Sequence, residues 1–80
     1  MVTIDESDGF RIVIYTNDHA PAHVHAINSD GEAKINLDGA DGAPELIWVV
    51  GMKRSSIRKV MRLVKANSAA YLEEWRKIHG

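Results

Sequence analysis

Cysteine is absent from this chain of 80 residues, and proline (two residues) and phenylalanine (one) are scarce. Without thiols there is no disulfide scaffold, no thiolate metal site and no cysteine nucleophile. Long apolar runs are missing too. No stretch approaches the roughly 20 residues that cross a bilayer, and the opening Met1-Val2-Thr3-Ile4-Asp5-Glu6 has neither the basic start nor the apolar run of a signal peptide. A cytoplasmic protein with no membrane role is expected. Gly-rich phosphate loops, nucleophile motifs and internal repeats are also lacking, which counts against catalysis.

What is present is an ordinary globular composition, 45% hydrophobic and 26% charged, so the chain is expected to fold as a single domain over residues 1–80. A core this small is thinly stabilised, and domains of this size often gain from a metal, a dimer interface or a partner. The charge is small in total, −1, but strongly segregated. Residues 1–52 hold nine acids against two bases, Arg11 and Lys34, whereas residues 53–80 hold eight bases against two acids, Glu73 and Glu74. An acidic first half and a basic second half describe a two-sided surface, one side suited to a basic partner and the other to an anion.

The periodicity predicts an α+β fold, a small antiparallel sheet of four or five strands packed against a C-terminal amphipathic helix. Phe10, Ile12 and Ile14 share one face of a β-branched strand running to Thr16, and Val2–Asp5 pairs with it across a turn at Ser7-Asp8-Gly9. Ala22 to Ile27 extends with Ala22, Val24 and Ala26 on one face and His23, His25 and Ile27 on the other. Asn28-Ser29-Asp30-Gly31 reads as a hairpin turn whose glycine takes a positive φ, and Glu32–Leu37 returns with Ala33, Ile35 and Leu37 inward. Asp38–Pro44 carries two glycines and a proline and reads as a mobile loop, before a last strand at Glu45–Val50 that Gly51 ends. A helix capped by Ser55 or Ser56 follows, with a stripe of apolar or small residues at Ile57, Val60, Met61, Val64, Ser68, Tyr71, Leu72, Trp75 and Ile78. The stripe favours one helix over two broken at Asn67-Ser68. Leu63, Ala66 and Ala70 fall off it, on a flank suited to self-association. Tyr15, Trp48, Tyr71 and Trp75 are expected in the core or at its edge.

Three groups of residues can carry function. His19, His23 and His25 fall within seven residues; a strand sends His23 and His25 to one face, and a turn can fold His19 over them, with Asp18 or Asp30 as a fourth ligand for zinc or a similar ion. The bland alternative is a set of hydrogen-bonded structural rings. Asp30, Glu32, Asp38, Asp41 and Glu45 form the acidic contact surface expected for a protein partner. Arg58, Arg62, Lys65 and Arg76 make a basic ridge on the helix that can meet phosphates of a nucleic acid, or simply keep a small protein soluble.

The segments Gly9-Phe10-Arg11, Tyr15-Thr16-Asn17-Asp18-His19-Ala20-Pro21-Ala22-His23-Val24-His25 and Gly31-Glu32-Ala33-Lys34, with the late Trp75, resemble a small bacterial family, domain of unknown function 4160. The histidine-proline-histidine stretch is the most specific part; one proline stands here between Ala20 and Ala22, where the family often has two adjacent ones. The resemblance implies a shape and a site and no particular reaction. It implies accessory proteins in paired bacterial cassettes, hence a toxin–antitoxin-like or other protein-binding role; separately, a small protein with an acidic first half resembles phage-borne anti-CRISPR-like inhibitors that occupy a basic groove. The expectation is therefore a non-catalytic protein-binding module, an inhibitor or accessory part of a defence-related complex that binds a protein partner or a second copy. Metal binding or metal-dependent activity at His19, His23 and His25 is the alternative, followed by nucleic-acid binding along the helix.

Overall fold

The structure, a computed structural model, describes residues 1–80. Five strands come first, β1 (Val2–Ser7), β2 (Phe10–Ile14), β3 (His23–Ile27), β4 (Glu32–Asn36) and β5 (Glu45–Val50), and one helix, α1 (Arg54–His79), follows. The strands form an antiparallel meander in sequence order, so β3 is central and β1 and β5 are the edges. This is the predicted α+β architecture, with β1 two residues longer than expected, β2, β3 and β4 shorter by one or two, and β5 as expected.

Cross-strand pairing sorts the side chains onto two faces. Ile12 pairs with Ala26, Ala26 with Ala33 and Ala33 with Val49, while Val24 pairs with Ile35 and Ile35 with Leu46. This face carries the core, in which Ile12, Ile14, Val24 and Ile35 are fully buried together with Val60 and Val64 of α1. Each such side chain contributes about 1.5–3 kcal/mol through burial. Val13, His25, Lys34 and Trp48 form the matching row on the opposite face. The edge strands are both irregular: an extra residue, Ile4 in β1 and Ile47 in β5, interrupts the register, as bulges commonly do at sheet edges.

Turn chemistry holds at the first hairpin, where Asp8 and Gly9 both take positive φ (56° and 84°), the conformation that fits the twist of the flanking strands. The second hairpin differs from expectation. Asn28 Oδ1 accepts from the backbone N–H groups of Asp30 and Gly31, both at 3.0 Å, and Gly31 has no positive φ. It is glycine for a steric reason: a Cβ there would overlap the Val50 carbonyl. The segment Asp38–Pro44 is tied by Gly39 N–H to the Ala43 carbonyl at 2.9 Å and Gly42 N–H to the Gly39 carbonyl at 2.8 Å.

The helix is unbroken over 26 residues. Asn67 and Ser68 stay inside it by turning their side chains back, Asn67 Nδ2 donating to the Leu63 carbonyl and Ser68 Oγ to that of Lys65. Neither serine caps the start. Lys53 occupies the N-cap without a side-chain bond, and Ser55 and Ser56 lie within the first turn. Leu63 belongs to the buried core, not to an exposed flank. A helix lying on a sheet buries a stripe of 100° or more, wider than a coiled-coil seam, and Leu63 falls inside it. Tyr71 links α1 to the far edge by donating its hydroxyl to Asp5 at 2.6 Å. Burial, then the Asp5 carboxylate, raises the Tyr71 phenol well above its ordinary range.

Candidate functional site

The chain leaves β2 through a turn that Asp18 closes twice: its N–H donates to the Tyr15 carbonyl at 3.0 Å, and its Oδ2 accepts from Tyr15 N–H at 3.2 Å. That bond draws the Asp18 carboxylate inward. The next residue, His19, is exposed. The chain then passes a cis Ala20–Pro21 peptide into β3, where period two directs His23 and His25 to the side of the strand opposite Val24 and Ala26. Both are buried, at 3% and 6% exposure.

Each ring has one nitrogen committed. His23 Nδ1 lies 2.9 Å from the Pro21 carbonyl and His25 Nδ1 lies 3.0 Å from Glu32 Oε2. A carbonyl or carboxylate oxygen only accepts, so Nδ1 carries the proton on both rings and Nε2 of the neutral ring presents its lone pair. The two Nε2 atoms are buried without a hydrogen-bond partner, although they stand 3.1 Å (His23) and 3.7 Å (His25) from Asp18 Oδ2. Three donor atoms thus crowd one point without the alignment of hydrogen bonds. An unsatisfied buried polar atom costs about 1–3 kcal/mol, so two of them side by side are an unusual expense for a core this thin.

Aromatic rings fix the imidazoles. Tyr15 meets His25 edge-on with centroids 4.5 Å apart, Trp48 lies 5.7 Å from the same ring, and Trp75 of α1 lies 5.0 Å from His23. Tyr15 Oη also approaches Glu32 Oε2 at 3.4 Å, and burial, followed by that carboxylate, raises its pKa. Burial lowers the pKa of His25 below its ordinary 6.5; Asp18 and the Glu32 bond oppose this and the neighbouring His23 reinforces it. Because folding depresses this pKa, the unfolded chain takes up the proton first, so the stability tied to a neutral His25 is complete above about pH 6.5 and is lost as the pH falls below it. Denaturation midpoints are expected to drop between about pH 7.5 and about pH 5.5, and a His25→Gln variant is expected to show a smaller drop. Equal drops in both proteins would refute that assignment.

Of the predicted metal ligands the structure brings His23 and His25 together and adds Asp18, and the donor atoms of these three all lie within 4.8 Å of one another. His19 is not among them. It lines a cleft of about 330 Å³ with Asp18, Ala20, Trp75, His79 and Gly80, because the tight turn that aims Asp18 inward sends its neighbour outward. Asp30 is exposed in the β3–β4 turn, also outside the cluster.

The acidic surface is partly as expected. Asp30, Asp38, Asp41 and Glu45 are exposed. Glu32 is half-buried and bonded to His25, so it serves the histidines instead of the surface. Arg58, Arg62, Lys65 and Arg76 are all exposed along α1. What sequence reasoning missed is the apolar character of the β5 edge: Ile47, Trp48 and Val50 are 42%, 40% and 66% exposed. The uncharged run Leu46–Val50 was the available signal, but it reads equally as a buried strand.

Residues 9–76 match the family model described as Domain of unknown function (DUF4160), and the chain belongs to that family. Neither a curated protein nor a solved structure matches it.

Proposed function

We propose that this member of the DUF4160 family is a protein-binding module that docks a basic partner along the free edge of β5. The observation that carries the reading is the exposure of Ile47, Trp48 and Val50 on an edge strand with no charge between Leu46 and Val50. Unpaired strand edges accept a strand from another chain, and soluble proteins usually blunt them with lysine, proline or inward charge. Here only the extra residue at Ile47 disturbs the edge. Main-chain hydrogen bonds would supply affinity, and Trp48 has the size and amphipathic character of an interface anchor.

Charge selects the partner. Asp30, Asp38, Asp41 and Glu45 are exposed in and beside the turns that flank β5, an acidic rim around an apolar centre. A second copy docking through the same edge would bring these like charges together, so a basic surface fits better than self-association. Covering a basic groove on a nucleic-acid-handling complex, as an inhibitor or accessory subunit, is the use we assign to such a surface.

The test is comparative. Chain carrying Ile47→Lys and Val50→Lys is expected to keep its denaturation midpoint within experimental scatter, because both positions are exposed. It should release the protein that the unmodified chain retains from lysate of its own host, and Trp48→Ala should weaken the purified pair at least about 30-fold, the effect of a loss of about 2 kcal/mol. Equal retention by the lysine variant, or dimerisation of the isolated chain through β5, would sink the proposal.

A further inference from the structure

We propose that Asp18, His23 and His25 form a binding site for a first-row divalent transition metal, with zinc as its simplest occupant. The site is distinct from the β5 edge and does not depend on it.

The geometry is that of a ligand set. With metal–ligand lengths of about 2.1 Å, neighbouring donors in an octahedral or tetrahedral shell stand about 3.0–3.4 Å apart. Asp18 Oδ2 lies 3.1 Å from His23 Nε2 and 3.7 Å from His25 Nε2, and all three donor atoms lie within 4.8 Å of one another, a cluster that an ion would draw together. The three residues come from two places in the chain, the β2–β3 turn and β3, and the Tyr15–Asp18 hydrogen bond holds the Asp18 carboxylate in place within that turn.

The surrounding groups are those that metal-binding histidines use. Ligating imidazoles bind through one nitrogen and donate the other N–H to a carbonyl or a carboxylate, which fixes tautomer and ring orientation. His23 has the carbonyl of Pro21 and His25 the carboxylate of Glu32. Both remaining lone pairs are buried and unpartnered. Structural histidines, the bland alternative, would be expected to spend both nitrogens on hydrogen bonds; here the second nitrogen of each ring is left for a cation.

Two imidazoles and one carboxylate select the metal class. Calcium and magnesium prefer all-oxygen shells, whereas zinc, iron(II), cobalt(II) and nickel(II) accept this mixed set. Asp18 as a ligand and Glu32 bonded to the far nitrogen of His25 together bring two carboxylates to the ion, balancing its charge. Three protein ligands leave at least one coordination position for water or an exogenous donor. Asp18 also borders the cleft formed with His19, Trp75 and His79.

The experiment uses the full untagged chain, stripped with a chelator and titrated with zinc and cobalt(II). One equivalent of zinc is expected to bind and to raise the unfolding temperature, and cobalt is expected to give the ligand-field absorption of a nitrogen- and oxygen-coordinated ion. Asp18→Asn preserves shape and is expected to weaken zinc binding at least about 100-fold, and Glu32→Gln about 10- to 100-fold. His19→Ala should bind as the unmodified chain does. His23→Ala is less decisive because so buried a ring also supports the fold, which is why Asp18→Asn carries the test. Absence of stoichiometric binding, undiminished binding by Asp18→Asn, or loss of binding in His19→Ala would each overturn the proposal. Because the titration needs no partner, its failure would leave the β5 reading standing, and the converse holds.

Discussion

Trp75→Ala is expected to lower the unfolding temperature by roughly 15–30 °C. Removing a large buried aromatic costs about 3–5 kcal/mol, and a domain of this length holds roughly 4–12 kcal/mol in all. Each kcal/mol moves the midpoint of so small a domain by about 4–8 °C. Trp75 is placed to make that loss large. It is buried in the core formed by α1 and the sheet, lies 5.0 Å from the His23 ring and meets the His79 ring at 4.1 Å with the two planes tilted. Its removal therefore detaches the end of the helix and opens the wall behind a buried histidine in one step. Trp48→Ala is the built-in comparison, since Trp48 is 40% exposed on an edge strand and should move the midpoint far less. Thermal unfolding followed by circular dichroism separates the two, and equal shifts would mean that the helix end is not docked as described.

Gly31→Ala is expected to destabilise the chain by about 2–4 kcal/mol, at or above the usual cost of overpacking, because the atom in the way is main chain. The added Cβ would overlap the Val50 carbonyl and stand 3.0 Å from the Gly51 Cα. No rotamer change relieves this; the β3–β4 turn and the end of β5 must separate, at the place where β5 exits the sheet. Gly9→Ala provides the contrast. Gly9 sits at φ 84° with nothing within 4 Å of its would-be Cβ, so its cost is conformational alone, about 1–2 kcal/mol. Denaturant midpoints for the two variants should rank Gly31→Ala as the more damaging. The reverse order would show that the turn yields easily and that close approach is not the constraint.

The same pair of glycines shows how far local reasoning reaches. Asp8-Gly9 announced its turn because a two-residue hairpin needs positive φ, a property of the residues themselves. Gly31 carries the same letter for a different reason, since its obstacle, Val50, is 19 positions away in the chain. Leu63 follows this pattern. Helical period placed it beside the apolar stripe, and only the breadth of the sheet beneath α1 brought it into the core.

At the histidine cluster the division runs between neighbouring residues. Alternation along β3 put His23 and His25 on one face from sequence alone, because a strand's period is a covalent fact. Whether His19 or Asp18 joined them depended on the Tyr15–Asp18 bond within the turn, a geometry that composition does not encode. Glu32 could be seen as an acid but not as the partner of His25. The pairing of Ile27 with Glu32 and His25 with Lys34 sets it diagonally across from that ring. The sequence by itself determined a sheet of four or five strands and a C-terminal helix, the faces of β2 to β4 and the separation of acidic and basic halves, because these follow from period and charge. Tertiary structure decided that Asp18 replaces His19 in the cluster, that Glu32 turns from surface to site, and that β5 leaves three large apolar side chains exposed. Each of those outcomes depends on strand register or turn closure, which set the distance between groups far apart in the chain.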